Sequence, residues 1–128
     1  MQIYNGTQHE VNIYSIDDCE SVQNGRKLIL KAGATPVAII PAGTNLNAVK
    51  GNLPAPELET DIPLKGAVVF TDYETAPEGF DIYIVSNLYR SAVKELGGKT
   101  SKLATVDGVV YASESEMKPC GCTALAVG

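Results

Sequence analysis

The sequence predicts an α+β domain: a strongly curved, mainly antiparallel β-sheet with one principal helix packed on a face. Three observations carry this expectation. Short apolar runs bounded by turn residues dominate the chain, the dipeptides Asn24-Gly25 and Asp107-Gly108 lie between strand-like flanks, and only Asn87–Leu96 carries helical punctuation. At 128 residues the chain is expected to form a single domain, 1–128, below the length at which one core divides.

The elements follow in order. A first strand ends near Asn5, and Glu10–Ile16 then alternates, with Val11 and Ile13 on one face and Asn12 and Tyr14 on the other. Asn24-Gly25 separates Ser21–Gln23 from Arg26–Leu30; both turn residues tolerate positive φ, so a two-residue type I′ hairpin is expected. Pro36–Ile40, Ala67–Tyr73 and Phe80–Val85 read as further strands. The run GNLPAPELETD, Gly51–Asp61, has two prolines and three acids and suits an exposed excursion. In the helix, Ser86 or Asn87 can cap the start, Leu88, Ala92 and Leu96 recur at four-residue steps, Lys94 sits in the last turn, and Gly97-Gly98 ends it. Asp107-Gly108 is expected to repeat the tight turn between Leu103–Val106 and Val109–Tyr111. A polar connection, Ser113–Pro119, leads to the last strand.

Charge narrows the function. Ten Lys+Arg against fifteen Asp+Glu leave a net charge of −5 with no basic block, which argues against duplex nucleic acid or an anionic membrane as partner. The most apolar window, Ala32–Gly43, is broken by Pro36 and Pro41 and falls short of the ~20 residues that span a bilayer. The start of the chain lacks the basic and apolar regions of a signal peptide, so action in the cytoplasm is expected. Cys19, Cys120 and Cys122 are read as reduced thiols. With His9 they do not form the paired spacing of a zinc site, so neither metal nor cofactor is expected.

Few residues are left to carry chemistry. His9 is the only histidine, and imidazole is the side chain whose ordinary pKa lies near neutrality, so proton transfer at pH 7 points to it first. Asn5 and Thr7 set an amide and a hydroxyl beside it. Ser86 follows Ile82–Val85 and opens the helix, where outward N–H groups favour a phosphate or carboxylate, with Arg90 one turn along. Pro41-Ala42-Gly43-Thr44 lacks a P-loop pattern and offers N–H donors at most. Six tyrosines supply stacking capacity, Tyr4, Tyr14, Tyr83 and Tyr89 lying nearest to these motifs. No G-x-S-x-G elbow is present, and no paired-metal acid set.

Taken together, Asn5, Thr7 and His9; Pro41 and Gly43; Tyr83, Ile84, Val85 and Ser86; and the tail with Asp107–Tyr111 and Gly121–Leu125 resemble a family of small bacteriophage and prophage proteins. That family opens on an Asn-Leu-Thr-Pro-His-like motif, continues through a Pro-Ser-Gly turn and a Tyr-Ile-Val-Ser strand end, and closes on a Gly-Cys-like strand. The chain departs from the pattern at Gly6 and Gln8, which replace Leu and Pro, and at Asn47, which stands where a basic residue follows the turn. By analogy with compact phage proteins that act on nucleotide immune signals, the resemblance implies an inhibitor of host immunity in the cytoplasm of an infected bacterium. The expected ligand is a cyclic nucleotide. In the enzymatic reading, a metal-independent phosphodiesterase, His9, Thr7 and Ser86 carry the chemistry while Asn5, Gly43, Thr44, Asn47, Tyr83 and Arg90 bind the ligand. Two alternatives stay open: a non-catalytic sponge for a nucleotide or ADP-ribose-type signal, and a phage structural or adaptor protein. Enclosing a dinucleotide calls for a second subunit, so a homo-oligomer is expected.

Overall fold

In the computed structural model, which describes residues 1–128, strands outweigh helix throughout. The strands are β1 (Ile3–Asn5), β2 (Val11–Ile13), β3 (Cys19–Val22), β4 (Lys27–Leu30), β5 (Ala38–Ile40), β6 (Ala48–Asn52), β7 (Val68–Tyr73), β8 (Ile82–Ile84), β9 (Leu103–Tyr111) and β10 (Gly121–Val127), with one helix, α1 (Asn87–Glu95), between β8 and β9. A single 3-10 turn, Ile16–Asp18, precedes β3.

The spine is β9. On one side it pairs antiparallel with β10; on the other it pairs parallel with β8 through Leu103 and Ala104, and with β4 through Val110 and Tyr111. The path runs β1-β8-β9-β10-β2-β5, and it curls until its ends meet. The Gly43 N–H donates to the Asn5 carbonyl at 2.8 Å, and the Asn5 side-chain amide donates to the Ile40 carbonyl at 3.2 Å. The sheet is therefore a nearly closed barrel, sealed where strand pairing stops by a backbone bond and the Asn5 side chain. Within this sheet four junctions are parallel and three antiparallel, so it is mixed, although its longest ladder, β9-β10, is antiparallel. A separate antiparallel pair, β6-β7, lies beside α1.

Two cores follow from this. Within the barrel, Val11, Ile84 and Cys122 pack with Ile3, Ile13, Ile40 and Leu125. Outside it, beneath α1, Leu46, Tyr83, Val85, Tyr89, Val93 and Leu103 form the larger cluster, with Tyr4, Tyr73, Ala76 and Phe80 against it. Successive residues of Tyr83-Ile84-Val85 alternate between the two, which explains an unbroken apolar run in a strand covered on both faces.

Several expectations change. The strand expected over Glu10–Ile16 is only Val11–Ile13, because Ser15 accepts from the Asp17 N–H and starts the 3-10 turn. Asn24-Gly25 does turn a hairpin, but Val22 pairs with Lys27, so the loop has four residues, with Gln23, Asn24 and Gly25 at φ 55°, 56° and 83°. Asp107-Gly108 makes no turn: β9 runs straight through it. Gly108 keeps a left-handed φ of 58°, its carbonyl accepts from the Thr123 hydroxyl at 3.1 Å, and a Cβ there would run into that hydroxyl. The cross-strand contact with β10 overrides the local turn signal. In α1 the buried face is Tyr89, Ala92 and Val93; Leu88 and Leu96 stay exposed because the helix turns its aromatic edge toward β7. Residues 53–65 form an exposed excursion longer than the proline-rich run, and its first two residues, Gly51 and Asn52, belong to β6.

Candidate functional site

The turn leaving β1 is organised by one buried side chain. Asn5 is 2% exposed; its Nδ2 donates to the carbonyls of His9 (2.8 Å) and Ile40 (3.2 Å), while its Oδ1 accepts from the Thr7 N–H (3.0 Å) and the Thr7 hydroxyl. An amide makes four hydrogen bonds, and all four are used. The Asn-x-Thr-x-His spacing is thus the geometry of a clamp, in which Asn5 and Thr7 shape the loop and His9 contributes only its carbonyl. The His9 ring is left exposed, outside the clamp.

Gly6 ties this turn to two others. Its N–H donates to the Ile84 carbonyl at 2.8 Å and its carbonyl accepts from the Leu46 N–H at 2.9 Å. A Cβ on Gly6 would sit 2.7 Å from Leu46 Cδ1, so the close approach requires glycine. Between the three segments lies a cavity of about 330 Å³. Thr7, Gln8 and His9 line it from the turn, Asn45, Asn47 and Lys50 from the approach to β6 and β6 itself, and Ser86 with Leu88 from the start of α1.

Its electrostatics oppose those of the whole chain. The Ser86 Oγ accepts from the Tyr89 N–H at 3.1 Å and caps the helix. The N–H groups of Asn87 and Leu88 have no intrahelical acceptor, and the helix dipole adds partial positive charge at that end. Lys50 supplies a full positive charge, and no carboxylate lines the cavity. The Asn47 N–H donates to Glu74 Oε1 at 3.1 Å and its Oδ1 accepts from Asn45 at 2.8 Å, which leaves the Asn47 amide hydrogens for a ligand. Chemically, the cavity can hold an anion with N–H, amide and ammonium donors, with an imidazole at its lip.

The other expected residues are engaged elsewhere. The Gly43 N–H is spent on the Asn5 carbonyl, and Thr44 donates its N–H to the Tyr4 hydroxyl at 2.9 Å, so both serve barrel closure. Tyr83, 9% exposed, is a core aromatic whose ring lies 5.8 Å from Phe80 and 6.1 Å from Tyr4. It lines a separate cavity of about 460 Å³ beside Lys99 and Lys102. Arg90 lines none of the three cavities; it is half-buried on α1 with its Nε unpaired. Gln8, Asn45 and Lys50 line the cavity in addition to the residues expected from the sequence. Asn45 and Asn47 flank the buried Leu46, an alternation that marks a half-buried segment before β6, and Lys50 follows from that strand.

No group of three or more His, Cys, Asp and Glu side chains is placed to hold a metal ion. Burial pushes the thiols of Cys19, Cys120 and Cys122 above their ordinary range, the reverse of what a reactive thiolate needs. No helix is long and apolar enough to cross a membrane. In comparisons with known proteins, no family model, curated protein or solved structure matches the chain.

Proposed function

We propose that the cavity binds a phosphate-bearing ligand of the nucleotide class, and that the protein inactivates such a signal as a phage-encoded inhibitor of host nucleotide immunity. One observation carries the reading: in a chain of net charge −5, this cavity joins a helix N-terminus, Lys50 and free amide donors without a carboxylate. At about 330 Å³ it sits at the small end of ligand sites, enough for a sugar phosphate, and a dinucleotide calls for a second copy of the chain. The phage setting rests on the sequence resemblance alone.

Cleavage is the second reading, favoured by His9 and Ser86 sharing the cavity. In a 3′,5′-linked cyclic oligonucleotide, the ribose 2′-oxygen attacks the adjacent phosphorus while His9 accepts its proton. The phosphorus–O5′ bond breaks, the leaving oxygen takes a proton from water, and a 2′,3′-cyclic phosphate remains. The Ser86 hydroxyl, the Lys50 ammonium and the helix N–H groups stabilise the phosphorane charge. The Thr7 hydroxyl proton is held by Asn5 and His9 acceptors, so Thr7 orients the turn.

The test incubates purified protein with a panel of cyclic di- and trinucleotides and ADP-ribose-type compounds, removes free ligand, denatures the protein and separates what is released. New products establish cleavage, intact retained compound establishes sequestration, and no retention of any member overturns the proposal in favour of a structural or adaptor role.

A further inference from the structure

The turn that walls the polar cavity has a second side. Thr7 and His9 also line a cleft of about 310 Å³ whose other walls include Val11, Val106, Val109 and Pro119. Its floor is continuous with the barrel core, because Val11 and Cys122 belong to both. The cleft is the open mouth of the barrel.

Strand geometry built it. In a regular pleat, Val106 and Val109 would point to opposite faces, since they stand three residues apart. Val109 pairs with Cys122 and Val106 with Leu125, and both partners pack in the barrel core. Cross-strand partners share a face. The left-handed Gly108, held by the Thr123 hydroxyl, breaks the alternation and turns both valines to the same side. They remain 43% and 38% exposed. Two valines brought to one solvent-facing cleft by a mid-strand irregularity add little to the core, but they form an apolar wall.

Building on the reading of the polar cavity as a phosphate site, we infer that this cleft receives the nucleobase of the same ligand, with the ribose crossing the lip formed by Thr7 and His9. The two cavities meet at those residues, one rich in donors and positive, the other apolar. A nucleotide has that division: an anionic phosphate at one end and a planar, largely apolar base at the other. Glu10, at the edge of the cleft, offers a carboxylate to the exocyclic amine of adenine, guanine or cytosine. The arrangement also sets the imidazole beside the sugar, where the 2′-proton would have to move.

Backbone amide NMR on the full chain separates the two sites. The probes are inorganic phosphate, the four ribonucleosides, and adenosine 3′-monophosphate. Phosphate is expected to shift Gln8, Asn47 and Asn87; at least one nucleoside is expected to shift Val106, Val109 and Gly121; the nucleotide is expected to shift both sets and bind on the order of tenfold more tightly than either fragment. Val109→Glu, at an exposed position, should remove the nucleoside shifts and leave those of phosphate. If phosphate shifts its set while no nucleoside moves the cleft, the inference fails and the phosphate site stands. If nucleosides shift the cleft while phosphate moves nothing, the base site stands and the phosphate reading fails. If the nucleotide shifts only the polar set, the joined site is overturned.

Discussion

The polar cavity and the apolar cleft share two residues and almost nothing else. The cavity is made of the ends of elements: a turn after β1, the approach to a short strand and the first turn of a helix, held together through the backbone of Gly6. The cleft is made mainly of paired strands, and its walls are fixed by ladder register and one left-handed glycine. Donors gather where backbone pairing runs out, because strand and helix termini leave N–H groups unused. Apolar walls gather where pairing continues and only the pleat is disturbed. His9 stands on the border between these two kinds of surface.

The largest expected effect tests that border. His9→Ala should reduce phosphodiester turnover on the order of 10²- to 10⁴-fold, with chelators without effect on the wild type. Because the ring is exposed, folding stability should change by no more than about 0.5 kcal/mol. Unchanged turnover in the mutant would reduce His9 to a wall.

Asn5→Ala comes next and should damage both regions together. It removes the Asn5 bonds to the Ile40 carbonyl and the Thr7 N–H and leaves the His9 carbonyl with the Thr7 hydroxyl alone, so a loss of roughly 2–4 kcal/mol is expected in urea denaturation. A loss below about 0.5 kcal/mol would mean that water replaces the clamp.

Gly108→Ala should separate the regions. The left-handed φ and the Thr123 hydroxyl both oppose a Cβ, and destabilisation of roughly 1–3 kcal/mol is expected. Amide shifts should cluster around Val106, Val109 and Thr123 and spare Asn47 and Ser86.

The smallest effect is a pH dependence confined to one side. Burial raises the pKa of Cys120 and Cys122, both in the cleft, and of Cys19 nearby; the polar cavity contains no cysteine. A thiol raised in the folded state holds its proton more tightly than in the unfolded chain. Its contribution is therefore complete below the unfolded thiol pKa of about 8.5 and is lost as pH climbs toward the folded value. Denaturation midpoints should fall between pH 8 and pH 10 by less in Cys122→Ala than in the wild type.

Some of this was legible in the residues themselves. The helix frame from Ser86 and the apolar Tyr83-Ile84-Val85 run followed from local chemistry, since caps and strand ends act over a few residues. Of Asn5, Thr7, His9 and Ser86, expected around one pocket, the last three line the polar cavity while Asn5 is buried behind the turn, and it is the long-range β1-β8 pairing that brings them together. At Asp107-Gly108 the local turn preference is outweighed by a partner strand and by the Thr123 hydroxyl, fifteen residues from Gly108. The N–H groups of Gly43 and Thr44 had the right chemistry for a ligand and were spent on closure by Asn5 and Tyr4. Lys50 lay hidden because β6 pairs with β7 across a long excursion, and no local pattern announces such a partner.

The sealing of the barrel also sets the order in which the chain can become itself. Ile3 finds its strand partner at Ile82, and Ile13, which pairs early with Ala38, finds its second partner at Cys122, so β1 has no strand neighbour until most of the sequence exists. During synthesis, β1 must emerge and wait unpaired while β2-β5, the β3-β4 hairpin and, later, the antiparallel pair of the last two strands can each zip as soon as both members are available. Pairings of such long reach make assembly slow and leave apolar edges open in the interval. A growing chain halted before Cys122 lacks the strand that joins β9 to β2, and the Asn5 amide then acts as a latch on a barrel still missing one stave.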